Sequence, residues 1–120
     1  YPIINFNTDY AGAGTNYGYQ NFKNYTNTGS ANSTNRISVF NSGSGTTSPT
    51  YFRAIITNDT TVAKRLDYTM LAPGLNYDLF AGNGYWNNTS AQITTINIVT
   101  NDNVQTFNTG TRLTVYCSRD

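Results

Sequence analysis

The chain has no histidine and no glutamate, and only one cysteine and one tryptophan in 120 residues. Without histidine, no side chain has an ordinary pKa between about 5 and 8. Nucleophilic triads and most acid–base pairs lean on His, Glu or a cysteine beside a base, so the sequence does not point to an enzyme. The usual His and Cys ligands for zinc are also lacking. The segments "TNDT" and "TNDN" offer single carboxylates, which is weak for calcium. No cofactor is expected. Charged residues make up 11% of the chain, with a net charge of +1, where an ordinary soluble domain has about 25% charged residues. Neither nucleic acid nor an anionic membrane is therefore an expected partner. No apolar run is long enough to cross a bilayer, so membrane insertion is not expected. Cys117 has no second cysteine to bridge to. It reads as a free thiol packed as a small apolar group, with pairing to a second chain as the alternative.

Asn, Thr, Ser, Gly and Tyr fill the space left by charge. Thr and Tyr favour strands, and Asn and Gly favour turns. Hydroxyl and amide side chains compete with helical hydrogen bonds. The composition predicts a single all-β domain over residues 1–120, and its neutral polar character suits an extracellular protein.

Short alternating runs support that prediction. "PIINF" (2–6) reads as a first or edge strand. Residues 8–35 show no sustained period and read as a polar linker or loop, unless short strands are hidden there. Tyr19, Phe22 and Tyr25 have helical spacing, enough for one or two turns. "RISVF" (36–40) places Ile37 and Val39 on one face, and "YFRAIIT" (51–57) places Phe52, Ala54 and Ile56 together. "RLDYTML" (65–71) predicts Leu66, Tyr68 and Met70 inward and Arg65, Asp67 and Thr69 outward. Pro73-Gly74 suits a tight turn. "NYDLFA" (76–81) follows, with Tyr77 and Leu79 sharing a face, and "AGNGYWNNTS" reads as a loop. "QITTINIV" (92–99), "VQTF" (104–107) and "RLTVYC" (112–117) complete the set. Seven or eight short antiparallel strands with frequent turns predict an immunoglobulin-like or jelly-roll β-sandwich.

Four kinds of site are written in these residues. Asp67 and Asp78 fall on adjacent expected strands, as a glycosidase carboxylate pair would, but alternation points both outward, the ordinary case for a hairpin. Asn83, Tyr85, Trp86 and Asn87, with Asn88 beside them, combine an aromatic platform with amides and form a candidate glycan-binding patch. A lone Trp in a β-protein is, however, more often a core or rim plug. The early stretch with Tyr17, Tyr19, Asn21 and Tyr25 has the same residue types. Five N-glycosylation sequons begin at Asn24, Asn32, Asn58, Asn87 and Asn88. With 18 Asn and 28 Ser plus Thr, chance alone supplies about four, so their number says little. Finally, residues 1–7 followed by a long polar segment suit an exchangeable strand, with Ile3, Ile4 and Phe6 as anchors in a neighbouring copy. Phe52, Ile56, Leu66, Tyr68, Leu79 and Leu113 would line the receiving sheet.

The order "INFNTDYAGAG", "STNRISVF", "LNYDLFAGNGYWNNT", "NTGTRLTVYC" resembles the spore coat U domain of archaic chaperone–usher pilins. The more specific parts of the likeness are Leu75 to Phe80 and Leu113 to Tyr116. The paired cysteines common in that family are absent here, and the family's usual further strand after "LTVY" would have to come from elsewhere. The resemblance implies a subunit of a surface filament joined by donor-strand exchange, with neighbouring copies of the chain as partners. The alternative is a secreted carbohydrate-binding or adhesive module with glycans as partners.

Overall fold

The computed structural model describes residues 2–7, 9, 16–24, 26–34, 36–39, 51–72, 78–100, 107 and 109–118. Among these, the chain forms eight strands and no helix. They are β1 (Pro2–Phe6), β2 (Tyr17–Lys23), β3 (Thr26–Thr34), β4 (Ile37–Ser38), β5 (Tyr51–Ile56), β6 (Lys64–Ala72), β7 (Asp78–Trp86) and β8 (Ile96–Thr100). They build two sheets, ordered β4-β1-β8 and β3-β2-β7-β6-β5, and every pairing is antiparallel. The expected all-β sandwich is the observed architecture.

Alternation builds the core. Leu66, Tyr68 and Met70 of β6 are buried while Arg65, Asp67 and Thr69 are exposed, as the pattern predicts. On β5, Phe52, Ala54 and Ile56 are partly buried against the core, and Tyr51, Arg53 and Ile55 face solvent. The three-stranded sheet brings Ile4, Phe6 and Ile37 to the same cluster, with Val39 just after β4 and Ile96 and Ile98 packed alongside. Fully burying each such side chain contributes about 1.5–3 kcal/mol.

The stretch expected as a linker, 8–35, holds two strands. β2 and β3 pair antiparallel as a hairpin, and β2 is hydrogen-bonded to β7 along its other side. The pattern was hard to read because β3 (TNTGSANST) carries no large apolar residue and the hairpin ladder shifts register twice. Such bulges break strict period-2 alternation. The helical spacing of Tyr19 and Phe22 lies within β2, and Tyr25 is outside the described residues.

The ladder of β8 begins at Ile96, later than residue 92, because two asparagine side chains take the backbone of 92–95. Asn58 accepts from Ile93 N–H at 2.6 Å and donates to its carbonyl at 3.0 Å, a side-chain copy of a strand pairing. Asn7, at φ 54°, accepts from Thr94 and Thr95 N–H and donates to Gln92 O. Asn tolerates this left-handed conformation better than most residues. The strand expected at 112–117 is not formed: residues 111–118 are exposed and join neither sheet. The Pro73-Gly74 turn and residues 104–106 lie outside the described residues.

Buried polar groups tie the two sheets together. The Tyr17 hydroxyl accepts from Phe6 N–H at 2.9 Å and donates to Phe6 O at 3.3 Å. Tyr68 donates to Asn21 Oδ1 at 2.7 Å, and Asn21 Nδ2 donates to Ser38 O at 2.9 Å. Burial, reinforced by the negative charge of Asp9 and opposed by the Phe6 backbone bond, pushes the Tyr17 phenol up from 10.0 to about 12. The unfolded chain therefore releases this proton first as pH rises. The stabilisation linked to neutral Tyr17 is complete below pH 10 and is lost as pH climbs through about 12. The urea midpoint followed by circular dichroism should decline across that interval. Tyr17→Phe should lower the midpoint at neutral pH and remove this group's part of the alkaline decline.

Candidate functional site

β7 runs straight through the segment expected to be a loop, so period 2 governs Asn83, Tyr85 and Trp86. They do not form one patch. Trp86 points inward and is 1% exposed. Its indole stacks on Tyr17 at 6.2 Å and tilts against Phe6 at 5.7 Å, and its N–H donates to Asp9 Oδ2 at 2.6 Å. Asn16 Nδ2 donates to the same oxygen at 3.1 Å. Trp86 is thus a core residue. Lys64, which the sequence did not single out, is also buried. Its ammonium donates to Asn88 O at 2.5 Å and Val62 O at 3.3 Å, and it lies 5.8 Å from the Trp86 ring centre. Carbonyl dipoles and the ring face replace the water this cation has lost.

Asn83 and Tyr85 point the other way, onto the outer face of the five-stranded sheet. There they line an open cleft of about 270 Å³ with Tyr19, Gln20 and Ser30. Register sets this grouping: Gln20 lies opposite Asn83 on one side and opposite Ser30 on the other. Of the early aromatic stretch, Tyr19 borders the cleft but shares the inward parity of Tyr17 and Asn21 and packs against the core, and Tyr17 and Asn21 are buried in the interior. Gln20 and Ser30 carried no sequence signal, because partnership across a sheet is invisible until the hairpin is placed. Asn87 is exposed beyond the end of β7, outside the cleft lining.

The expected exchange strand is held inside its own molecule. β1 is the middle strand of its sheet, paired with β4 and β8. Ile4 and Phe6 belong to the core cluster, and Ile3 is buried on the opposite face. Two residues expected to line the receiving sheet also differ, since Leu79 faces outward on β7 and Leu113 is exposed. Phe80 takes the inward position on β7. Cys117 is an exposed thiol, contrary to the packed thiol expected from sequence.

Asp67 pairs in register with Asn83, and Asp78 with Ala72. They stand five residues apart along one ladder, about 17 Å at strand rise. Glycosidase carboxyl groups lie within about 10 Å of each other. Asp78 instead bridges Lys23 at 2.7 Å and accepts from Asn24 Nδ2 at 3.1 Å. The Lys23 ammonium holds its carboxyl below the usual range, with help from Asn24. Among the described residues, no group of three or more Cys or Asp side chains could hold a metal ion. Among the described residues no helix is long and apolar enough to cross a membrane.

The sequons differ in local geometry. Asn24 uses its amide on Asp78 and Leu79 N–H, and Asn58 uses its amide on Ile93. Asn88 caps its own turn by accepting from Ser90 and Ala91 N–H. Asn87 is exposed, and the side chain of Asn32 is outside the described set. No family model, curated protein or solved structure matches the chain.

Proposed function

We propose that the chain is a structural module of an extracellular assembly, a surface filament, whose copies join by strand addition at sheet edges. One observation carries this reading. Residues 111–118 alternate Leu113, Val115 and Cys117 with Arg112, Thr114 and Tyr116, the pattern of a strand, yet they join no sheet. Leu113 is 62% exposed, Val115 57% and Tyr116 91%. The added strand on this reading is 112–117, in place of 2–6, which is engaged on both sides at home.

The outer edge of β5 suits it as acceptor. β4 has two residues, and the β3 ladder is interrupted by register shifts. β5 is regular over Tyr51–Ile56 and has no partner beyond β6 among the described residues. Its inward side chains Phe52, Ala54 and Ile56 are only partly covered. A regular, apolar edge is a template for pairing. Burying Leu113 and Val115 there contributes about 3–6 kcal/mol before association costs. The likeness to spore coat U domains points the same way.

Sedimentation velocity on the full chain tests the proposal, with reductant present so that Cys117 cannot cross-link copies. The expected result is assembly that grows with concentration. Val115→Pro, which removes a ladder donor, should leave a monomer with an unchanged melting temperature. A wild-type chain that stays monomeric at every concentration, or a Val115→Pro chain that assembles equally, overturns it.

A further inference from the structure

We propose that the cleft on the outer face of the five-stranded sheet binds a neutral saccharide, with Tyr85 as the platform and Gln20 and Asn83 as the readers of hydroxyls. This surface is separate from the strand edges and stands or falls independently of the assembly reading.

The platform is built by a glycine. Gly18 lies opposite Tyr85 in the β2–β7 register. The Tyr85 ring occupies the space where a side chain at residue 18 would begin, its Cζ 2.6 Å from the site of a Cβ. The ring therefore lies over the neighbouring strand at residue 18. Tyr85 remains partly exposed although its ring packs down on the sheet. An aromatic face carries negative potential and accepts the polarised C–H bonds of a pyranose face. An anion would be repelled by that face, and a purely apolar group would leave the neighbouring amides without partners.

The polar groups are of the matching kind. Gln20 and Asn83 sit side by side in register, with Ser30 next in the same row. Each amide offers both donors and an acceptor, and the hydroxyl offers one of each. That is what a ring of alcohols requires and what a phosphate or carboxylate does not. The five lining residues, Tyr19, Gln20, Ser30, Asn83 and Tyr85, carry no charge at neutral pH. The flanking β6 positions opposite Tyr85 and Asn83 are Arg65 and Asp67, of opposite sign. The site thus has no net charge to attract an ion. A volume of about 270 Å³ is at the small end for ligand sites. The fit is to one or two sugar rings, such as the end of a glycan chain.

The test is nuclear magnetic resonance titration of the full chain with three probes: chitotriose, cellotriose and lactose. At least one should shift the side-chain amide signals of Gln20 and Asn83, with a dissociation constant of about a millimolar. Tyr85→Ala should weaken that probe by at least about tenfold. Gly18→Ala should do the same without removing any polar group, because the new methyl displaces the ring. The backbone spectrum of each variant reports folding in the same experiment, and the two variants act through different strands. Absence of shifts at Gln20 and Asn83 with all three probes overturns the proposal. So does a folded Gly18→Ala chain that binds like the wild type, or shifts confined to residues away from the cleft.

Discussion

Replacing Trp86 with alanine should lower the melting temperature by on the order of 15 °C or leave the chain unfolded. Removing a buried large aromatic side chain costs about 3–5 kcal/mol. Here the indole also satisfies Asp9 at 2.6 Å and stacks between Tyr17, Phe6 and the Lys64 ammonium. Its loss leaves a buried cation over a void and deprives the half-buried Asp9 of a donor, which adds about 1–3 kcal/mol. Domains of this size have about 5–15 kcal/mol in total, and each kilocalorie moves the midpoint by several degrees. Tyr85→Ala, one residue away on the opposite face, should change the midpoint by only a few degrees. Thermal melts followed by circular dichroism compare the two directly. Similar small shifts for both would show that Trp86 is not a core residue. The contrast also means that Trp86→Ala is a poor probe of sugar binding, because any loss of binding would follow from loss of the fold.

Deleting residues 1–7 should abolish cooperative folding. The deletion removes the middle strand of one sheet and with it the ladders to β4 and β8. Ile4 and Phe6 leave the core, and their burial alone is worth about 3–6 kcal/mol. The Tyr17 hydroxyl loses both of its partners at Phe6, a buried polar group left unmade at a further cost of about 1–3 kcal/mol. Asn7, which holds Gln92, Thr94 and Thr95, goes with the same piece. The sum rivals the whole stability of a small domain. The expected readout is a chain without a sharp urea transition and with weak dispersion in its amide spectrum. A truncated chain that still melts cooperatively would instead show that Pro2–Phe6 is a detachable strand, as the sequence alone suggests. Adding back the peptide would then restore the missing ladder.

Fold class was legible because composition and period agree. Strand β6 was readable residue by residue, since Leu66, Tyr68 and Met70 alternate with polar neighbours and one face is buried. Strand β3 was not, since its side chains are small and polar and its place follows from pairing with β2. The end of β7 is hidden in the sequence because Gly82, Asn83 and Gly84 look like a turn. Those glycines serve close approach instead. A Cβ at Gly82 would stand 2.7 Å from Gln20 O, and one at Gly84 would stand 2.8 Å from an Ile37 methyl. Nothing in a linear pattern separates a glycine needed for a turn from one needed beneath a neighbouring strand.

The candidate sites divide along the same line. Asn83 and Tyr85 were recognised by residue type, but their companions Gln20 and Ser30 lie more than fifty residues away in the chain. Trp86 was grouped with them by adjacency, and a two-residue period sent it to the other side. Chemistry that needs only residue types was settled by the amino-acid list: a nearly uncharged chain without histidine, patterned for sheets. Which side chains meet depended on register, on which strand lies in the middle of a sheet, and on which asparagines replace backbone pairing. These are long-range choices, made by burial and hydrogen bonding across the sandwich, and they exist only once the two sheets have packed.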